Sequence, residues 1–375
     1  MKLSLLIALL PVAFALPAPI IVPPAGSPIP GRYIVKMKNL DSEKDIRSAL
    51  KLLKKGPAHV YNFGNFGCFA AEVADDIVEQ LRHLPGVEEE DICHPSSIDL
   101  GLARISNQDR GNTSYTYDDS AGSGTCAYVI DTGIATSHPE FEGRAAFLAN
   151  VAGDGTNTDG NGHGTHCAGT IGSKTYGVAK KTELYAVKVI DASGSGTNSG
   201  VIAGINYVAN DVKTRSCPNG AVANMSLGGT RSTAVNSAAA NAVSAGVFLA
   251  VAAGNTAEDA SDFSPASEPT VFTVGATDSS DRLASFSNYG IVIDILAPGV
   301  SILSTWLNNS INSISGTSMA APHVAGLAAY ILVFEGQKSP SALSTRIQTL
   351  ALKKKITGLP SSTKNYLAFN GNTRD

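Results

Sequence analysis

The stretch from Met319 to Val333, Met-Ala-Ala-Pro-His-Val-Ala-Gly-Leu-Ala-Ala-Tyr-Ile-Leu-Val, leaves a folding chain few choices. It is too long for a strand and has almost no residue suited to an exposed face, so it predicts a helix over Ser318–Phe334 buried on nearly all sides. Pro322 and His323 interrupt it as a lipid span, and we read it as the core helix of a soluble protein. Immediately before it, Gly316-Thr317-Ser318 sets a hydroxyl on the first helical turn, beside free backbone N–H groups and the positive end of the helix dipole. A lone serine there is ordinarily only a cap. Ser318 is a candidate nucleophile because of three other stretches.

Val129-Ile130-Asp131-Thr132-Gly133 puts a carboxylate at the end of an apolar run. Asn161-Gly162-His163-Gly164-Thr165-His166-Cys167 puts an imidazole at a glycine-flanked helix start, and Ala252-Ala253-Gly254-Asn255 puts an amide at a strand exit. Singly these are common turn and loop motifs. Together with Ser318 they supply a nucleophile, its base, an orienter of the base and an oxyanion donor, in the order Asp, His, Ser.

The chain around them reads as α/β. Expected strands are Ala127–Ile130, Leu184–Ile190, Val222–Leu227, Val247–Ala253, Val271–Ala276 and Val292–Leu296, several of them continuously apolar, as when helices cover both faces of a sheet. Expected helices are His163–Ile171, Gly200–Asp211, Thr233–Ala245, Ser318–Phe334 and Ser341–Ala351. The alternation predicts three layers around a mostly parallel sheet, whose ligands sit beyond the carboxyl ends of the strands, where Asp131 and Asn255 fall.

Ahead of this domain, Lys2, the apolar run Leu3–Leu10 and Ala13-Phe14-Ala15 have the form of a secretory signal peptide over residues 1–15. A Pro- and Ala-rich linker over 16–30 precedes a small α+β domain: strands at Arg32–Met37, within Val60–Val73 and at Gly86–Glu88, and helices over Asp41–Lys54 and Asp75–Leu84. Its place after the signal suggests a removable prosegment. A formal net charge of −4 with 16% charged residues gives neither a nucleic-acid footprint nor a basic membrane patch. The five cysteines match no metal-ligand spacing, and in an oxidising compartment one or two disulfides are the expected outcome. Cys167, among small residues of the histidine helix, reads as a buried thiol. Of the sequons at Asn112, Asn224 and Asn308, Asn224 falls in a buried strand, leaving Asn112 and Asn308 as glycan sites.

Gly162-His163-Gly164-Thr165-His166-Cys167-Ala168-Gly169-Thr170 and Ser315-Gly316-Thr317-Ser318-Met319-Ala320-Ala321-Pro322-His323 resemble the histidine and serine motifs of the subtilisin-like serine peptidases, and within them the secreted fungal proteinase K branch. The likeness is close from Gly101 to Tyr330 and looser beyond, and residues 31–90 are similar to the inhibitory propeptides of these enzymes. The resemblance implies that His163 takes the proton of Ser318, that Asp131 fixes its tautomer, and that Asn255 with the Ser318 N–H binds the oxyanion. It implies a substrate cleft between Ser193-Gly194-Ser195-Gly196 and Ser226-Leu227-Gly228, although the first of these could equally be a mobile loop. With Ala252, Ala253 and Gly254, the small uncharged walls suit an apolar or aromatic P1 residue, broad specificity and an extended peptide added as a strand. It further implies a Cys126–Cys217 disulfide with Cys167 free, and a structural calcium ion on Asp294 and the carbonyls of Pro269 and Val271. The positions of a second, weaker calcium site hold Gln108 and Lys354, which do not suit it. No catalytic metal or organic cofactor is implied.

The divisions expected are therefore a signal over 1–15, a linker and inhibitory propeptide over 16–95, and a peptidase domain over 96–375, self-processed between Asp91 and Ser97. Asp99-Leu100, where the family usually has an aromatic residue, leaves the cut inexact. Partners are protein and peptide substrates and the chain's own propeptide, with no nucleic acid, no membrane and a monomeric state. A peptide-binding pseudo-peptidase, an inhibitor acting through residues 31–90 and a serine esterase are the competing readings; an intact set of four site residues weighs against the first two.

Overall fold

The computed structural model describes residues 100–372 throughout and, ahead of them, 20–21, 32–37, 50–53, 59–63, 66–72, 74–82 and 87–93. The chain divides into two compact units, Met1–Ile98 and Asp99–Asp375.

In the larger unit the apolar runs become strands β1 (Cys126–Asp131), β3 (Glu183–Lys188), β4 (Ala221–Met225), β5 (Val247–Ala252), β6 (Phe272–Thr277) and β7 (Ile295–Pro298). Three further strands are not among those expected: β2 (Ala145–Asn150), whose short run Ala145–Ala149 is apolar, and the two-residue β8 (Leu352–Lys353) and β9 (Tyr366–Leu367). The nine form one sheet in the order β8-β9-β7-β6-β5-β4-β1-β3-β2. Every neighbouring pair is parallel except β8 with β9. The expected helices appear as α1 (His163–Gly172), α2 (Asn198–Asp211), α3 (Thr233–Ser244), α4 (Thr317–Phe334) and α5 (Pro340–Leu350). Boundaries differ from the sequence reading by a few residues because caps end them: the hydroxyls of Thr197, Ser232 and Ser339 accept N–H bonds at the starts of α2, α3 and α5.

The two-residue period of each strand sorts its side chains to opposite faces. Ala127, Val129, Val222, Phe248 and Ala250 pack with α1, α4 and α5, whereas Tyr128, Ile130, Ala223, Leu249 and Val251 pack with α2 and α3. Helix α4 is long and apolar enough to cross a membrane and is instead 83% buried within the protein. It lies against β4, β5, β6 and β7, which answers the demand of its sequence for cover on all sides. Each Leu, Ile or Val so buried contributes about 1.5–3 kcal/mol relative to exposure.

The chain leaves β1 for β2 at the sheet edge, returns through β3, and crosses to β4 on the other side of β1. Direction along the sheet therefore reverses at β1, and a crevice opens at the carboxyl ends of β1 and β4. Asp131 is the last residue of β1 and Ser226 follows β4. Cys126, at the start of β1, is disulfide-bonded to Cys217, while Cys167 is a free, buried thiol.

The smaller unit holds a five-stranded sheet in the order Ile20–Ile21, Val87–Cys93, Arg32–Met37, Phe66–Glu72, His59–Phe63, with a helix at Asp75–Arg82. Two features correct the sequence reading. Ile20–Ile21, expected within a linker, pairs in parallel with Val87–Cys93, and that last strand runs past Glu88 to Cys93. Residues 1–15 and most of the expected helix over 41–54 lie outside the described residues.

Candidate active site

The crevice assembles groups from four elements. Asp131 at the end of β1 has a side chain only 2% exposed, and its Oδ1 lies 2.8 Å from Nδ1 of His163, the first residue of α1. The same oxygen accepts the Thr132 N–H at 2.7 Å. The start of α1 comes this close to β1 because Gly164 has no side chain: a Cβ there would stand 2.1 Å from the Gly133 carbonyl oxygen. Asp159, which the sequence reading misses, ties the same corner. Its buried carboxylate accepts from Thr132 Oγ1, from the N–H groups of Asn161, Gly162 and Thr165, and from Thr165 Oγ1, at 2.6 to 2.9 Å. An Asp just ahead of a glycine-flanked helix start is a capping signal that could have pointed to it.

Burial of the His163 ring opposes its charge. The charge of Asp131, its hydrogen bond and the charge of Asp159 outweigh that, so His163 titrates above the ordinary imidazole value. The neighbouring histidines behave oppositely. Burial pushes His166 down to about 3, with Nε2 against the carbonyls of Ile302 and Asn312, and His323 down to about 4, with Nδ1 against the Met319 carbonyl. Both are neutral packing groups. His138 is also a packing residue, buried against Phe141 with Nε2 on the Ser310 carbonyl. Burial raises the Cys167 thiol well above its ordinary value, which removes it as a nucleophile.

Ser318 is the second residue of α4, and its N–H belongs to the first turn, where no intrahelical acceptor exists. Its carbonyl would bond the N–H four residues on, but that residue is Pro322. The Ser226 hydroxyl takes this carbonyl instead, at 2.6 Å, and is itself held by Asn224 Nδ2 at 2.9 Å. The Ser318 hydroxyl donates to the Ser226 carbonyl at 3.1 Å. Among the described residues no hydrogen bond joins this hydroxyl to His163, and such bonds commonly tighten only with substrate present.

Asn255 follows β5 through Gly254, whose φ of +106° favours glycine and whose absent side chain makes room for Asn288. The Asn255 Oδ1 accepts from the N–H and hydroxyl of Thr317 at 2.8 and 3.0 Å, and that hydroxyl accepts the Gly254 N–H at 3.1 Å. Holding the oxygen fixes the amide so that its NH2 end faces away from Thr317. Nothing in the sequence singles out Thr317 for this part except its adjacency to Ser318.

Two adjoining cavities, about 550 and 200 Å3, share Leu227, Gly228, Gly229 and Ser264 in their walls. The larger has Asp131, His163, Gly194, Ser195, Gly196 and Ser226 in its lining. The smaller has Ala252, Ala253, Gly254, Asn255, Phe263 and Ser318, and no charged residue lines it. Ser193 does not line either one: its N–H and hydroxyl turn to the Asp191 carboxylate at 2.8 and 2.6 Å, which also accepts the Ser195 N–H at 3.0 Å. The 193–196 segment is thereby clamped.

Asp294, just before β7, pairs with Lys364 Nζ at 3.0 Å through Oδ1, which also accepts Gln348 Nε2 at 3.2 Å, while Oδ2 accepts the Thr273 N–H at 3.1 Å. One carboxylate beside backbone carbonyls is donor chemistry that suits calcium, but here an ammonium already stands on one of its oxygens. Asn112 and Asn308 are exposed and Asn224 is fully buried.

A carboxylate-held imidazole, a serine on a helix start and an amide beside it at the switch point of a parallel sheet define a serine hydrolase of the subtilisin type. The sequence matches the subtilase family over residues 122–370. It is 56% identical to the subtilisin-like serine protease AsES of Sarocladium strictum, over 99% of both chains. It is 53% identical to a cuticle-degrading protease of Metarhizium anisopliae, over 99% of this chain and 100% of that one. With proteinase T of Parengyodontium album it shares 62% identity over 72% of this chain and 92% of that protein. A crystal structure of a cold adapted subtilisin-like serine proteinase superposes with a TM-score of 0.69 at 44% identity, covering 73% of this chain and 99% of that one. The chain belongs to the subtilase family and is a subtilisin-like serine protease of the proteinase K-like type.

Proposed function

We propose that the protein is a secreted serine endopeptidase in which Ser318 attacks the peptide carbonyl, His163 takes and returns the proton, and Asp131 holds the imidazole and stabilises its cation. Asn255 Nδ2 and the Ser318 N–H receive the oxyanion of the tetrahedral intermediate. The observation that carries this reading is the 2.8 Å contact of His163 Nδ1 with a buried carboxylate, which leaves Nε2 to serve the serine. The cycle begins with the Ser318 hydroxyl leaving the Ser226 carbonyl for His163 Nε2, forms an acyl-enzyme with loss of the amine, and ends with water taking the place of the amine.

An extended peptide lies between Gly194–Gly196 and Ser226–Gly228 as an added strand, its P1 side chain entering the 200 Å3 cavity lined by Ala252, Ala253, Gly254 and Phe263. The uncharged walls favour apolar and aromatic P1 residues with broad tolerance. Residues 1–15 direct secretion, and residues 16–95 act as an inhibitory propeptide that the enzyme removes itself, between Asp91 and Ser97. Relatives that match over nearly their full length, among them the cuticle-degrading protease, support an extracellular setting and protein substrates. Glycans attach at Asn112 and Asn308, and the mature enzyme works as a monomer. Asp294 with the carbonyls of Pro269 and Val271 would hold a structural calcium ion in competition with Lys364, and the ion would supply fixed positive charge to the fold.

The test uses the full chain expressed in a host without secreted proteases. A fluorophosphonate probe should label Ser318, and Ser318→Ala should lose all peptide hydrolysis and retain residues 16–90. A labelled enzyme that cleaves simple esters but not casein would make it an esterase, and a processed Ser318→Ala protein would refute self-cleavage.

A further inference from the structure

A cavity of about 580 Å3 lies apart from those around Ser318, where three distant segments of the larger unit meet. They are the stretch 104–110 after the short helix Leu100–Arg104, the turn 278–282 after β6, and the connection 354–357 that follows β8. Five basic side chains and two carboxylates line it, an excess of positive charge in a protein whose formal net charge is −4.

Two of the five cations are matched. Buried Arg104 gives Nε and Nη2 to the two oxygens of Asp281 at 2.9 and 3.0 Å, and Lys355 pairs with Asp109 at 2.9 Å. The other three are Arg110, Arg282 and Lys354. Arg110 gives one N–H to the Ser280 carbonyl at 2.9 Å. Arg282 and Lys354 make no side-chain hydrogen bond or ion pair among the described residues. Asp278, the nearby carboxylate that could have served them, accepts the backbone N–H groups of Ser280 and Arg282 at 2.8 and 2.9 Å.

The backbone keeps these charges together. Arg282 pairs with Thr357 in an isolated bridge, and the Thr357 N–H bonds the Asp281 carbonyl at 3.0 Å. Lys354 sits at φ +60°, held there by its N–H on the Asn365 carbonyl at 3.1 Å. The three side chains are exposed on these held backbone positions, and an anion between them offsets their mutual repulsion while satisfying their donors.

We propose that this cavity binds a small tetrahedral oxyanion, inorganic phosphate or sulfate, between the guanidinium groups of Arg110 and Arg282 and the ammonium of Lys354. Gln108 and Thr357 in the same wall add neutral donors. Gln108 and Lys354 are also the positions that fail to suit a second calcium ion, and the surplus positive charge repels cations from the whole cavity. Because the ligand ties the segment near residue 104 to the last strands, it binds the folded protein alone and stabilises it by mass action. This site is independent of the chemistry at Ser318.

The experiment takes protein blocked at Ser318 by a fluorophosphonate, to suppress self-digestion, and measures unfolding temperature against inorganic phosphate at fixed pH, with sodium chloride at matched ionic strength as the control. Phosphate should raise the unfolding temperature along a saturating curve that chloride does not reproduce, and sulfate should act alike. In Arg282→Gln/Lys354→Asn the apparent affinity should fall by about tenfold or more, since two charge-assisted contacts are lost. Asn tolerates the positive φ at 354, and unaltered hydrolysis of a small peptide by the unblocked variant would show that it is folded. An equal phosphate response in wild type and variant, or a wild-type response that chloride matches, would overturn the proposal.

Discussion

Asp131 closes β1 at its carboxyl end and Asp294 stands just before β7 at its amino end, and each faces a single basic side chain at about the same distance, 2.8 Å to His163 and 3.0 Å to Lys364. They differ in burial and in partner. The Asp131 side chain is 2% exposed and faces an imidazole, whereas Asp294 is 22% exposed and faces a lysine side chain that is itself 40% exposed. The first pair can move a proton; the second can only hold or exchange a cation. Besides the end of the strand it occupies, what sets the use of such a carboxylate is the partner it faces and the water left around both.

The sharpest way to break this contrast is Asp131→Asn. It should keep the fold and lower kcat by about 10^4-fold, the loss that the equivalent substitution causes in another Ser-His-Asp protease. In the wild type, activity needs neutral His163 and should fall as pH drops through a value above the ordinary imidazole one; in the variant that limb should move to lower pH. The stability linkage runs the other way. With its folded pKa raised, His163 lends stability that is fully present below the unfolded value and is lost as pH rises through the folded one. A pH–rate profile unmoved by the substitution would sever the tie between Asp131 and His163.

Next in size is Asn255→Ala, which should cut kcat and leave KM nearly unchanged, a barrier increase of about 2.7–4 kcal/mol as for the corresponding amide of subtilisin. Thr317→Val should lose a smaller part of that, by removing one of the two bonds that hold the amide oxygen. An effect confined to KM would assign Asn255 to ground-state binding. Opening the Cys126–Cys217 bond, which spans 91 residues, should cost about 2–5 kcal/mol in denaturant titrations and leave Asp131 and His163 paired.

The smallest expected effects belong to the second carboxylate. Chelation should lower the unfolding temperature by a few degrees, an effect of about 1 kcal/mol, with kcat on a small peptide unchanged in the cold. Asp294→Asn should abolish that response, and Lys364→Gln should enlarge it by removing the competing cation. If Lys364→Gln responds to calcium no more than the wild type, the ammonium is not in competition for that oxygen.

Much of this arrangement can be read from residues alone because the determining signals are local. Continuous apolar runs such as Val247–Ala252 mark strands covered on both faces, and His163, Ser318, Asp131 and Asn255 each sit at the end of an element whose boundary is written nearby. What escapes reading depends on neighbours far away in the chain. Ala145–Asn150 has the short apolar run Ala145–Ala149 but only part-buried or exposed side chains, and what makes it an edge strand is its pairing with Glu183–Lys188. The hairpin of Ile302–Trp306 with Ser310–Ile314 covers His166, through the Ile302 and Asn312 carbonyls. Lys364 meets Asp294 across 70 residues. Ser193 is the local exception: it reads as part of the cleft with the glycines beside it, and Asp191, two residues earlier, turns it away.

That last contact bears on the thermodynamics of encounter. The Asp191 carboxylate, its pKa lowered first by the Ser193 hydroxyl and then by the Ser195 N–H, freezes the rim of the cleft when the protein folds, so the ordering entropy of that rim is not lost again with each peptide. A depressed pKa means the clamp is in force above the ordinary carboxylate range and loosens only as pH falls through the lowered value. That part of the cleft is therefore ordered before a chain arrives, so the freedom lost there on binding is mainly the chain's own and favours segments that become extended readily. Unfolded or locally frayed proteins should be cut far faster than the same sequences held in helices or sheets.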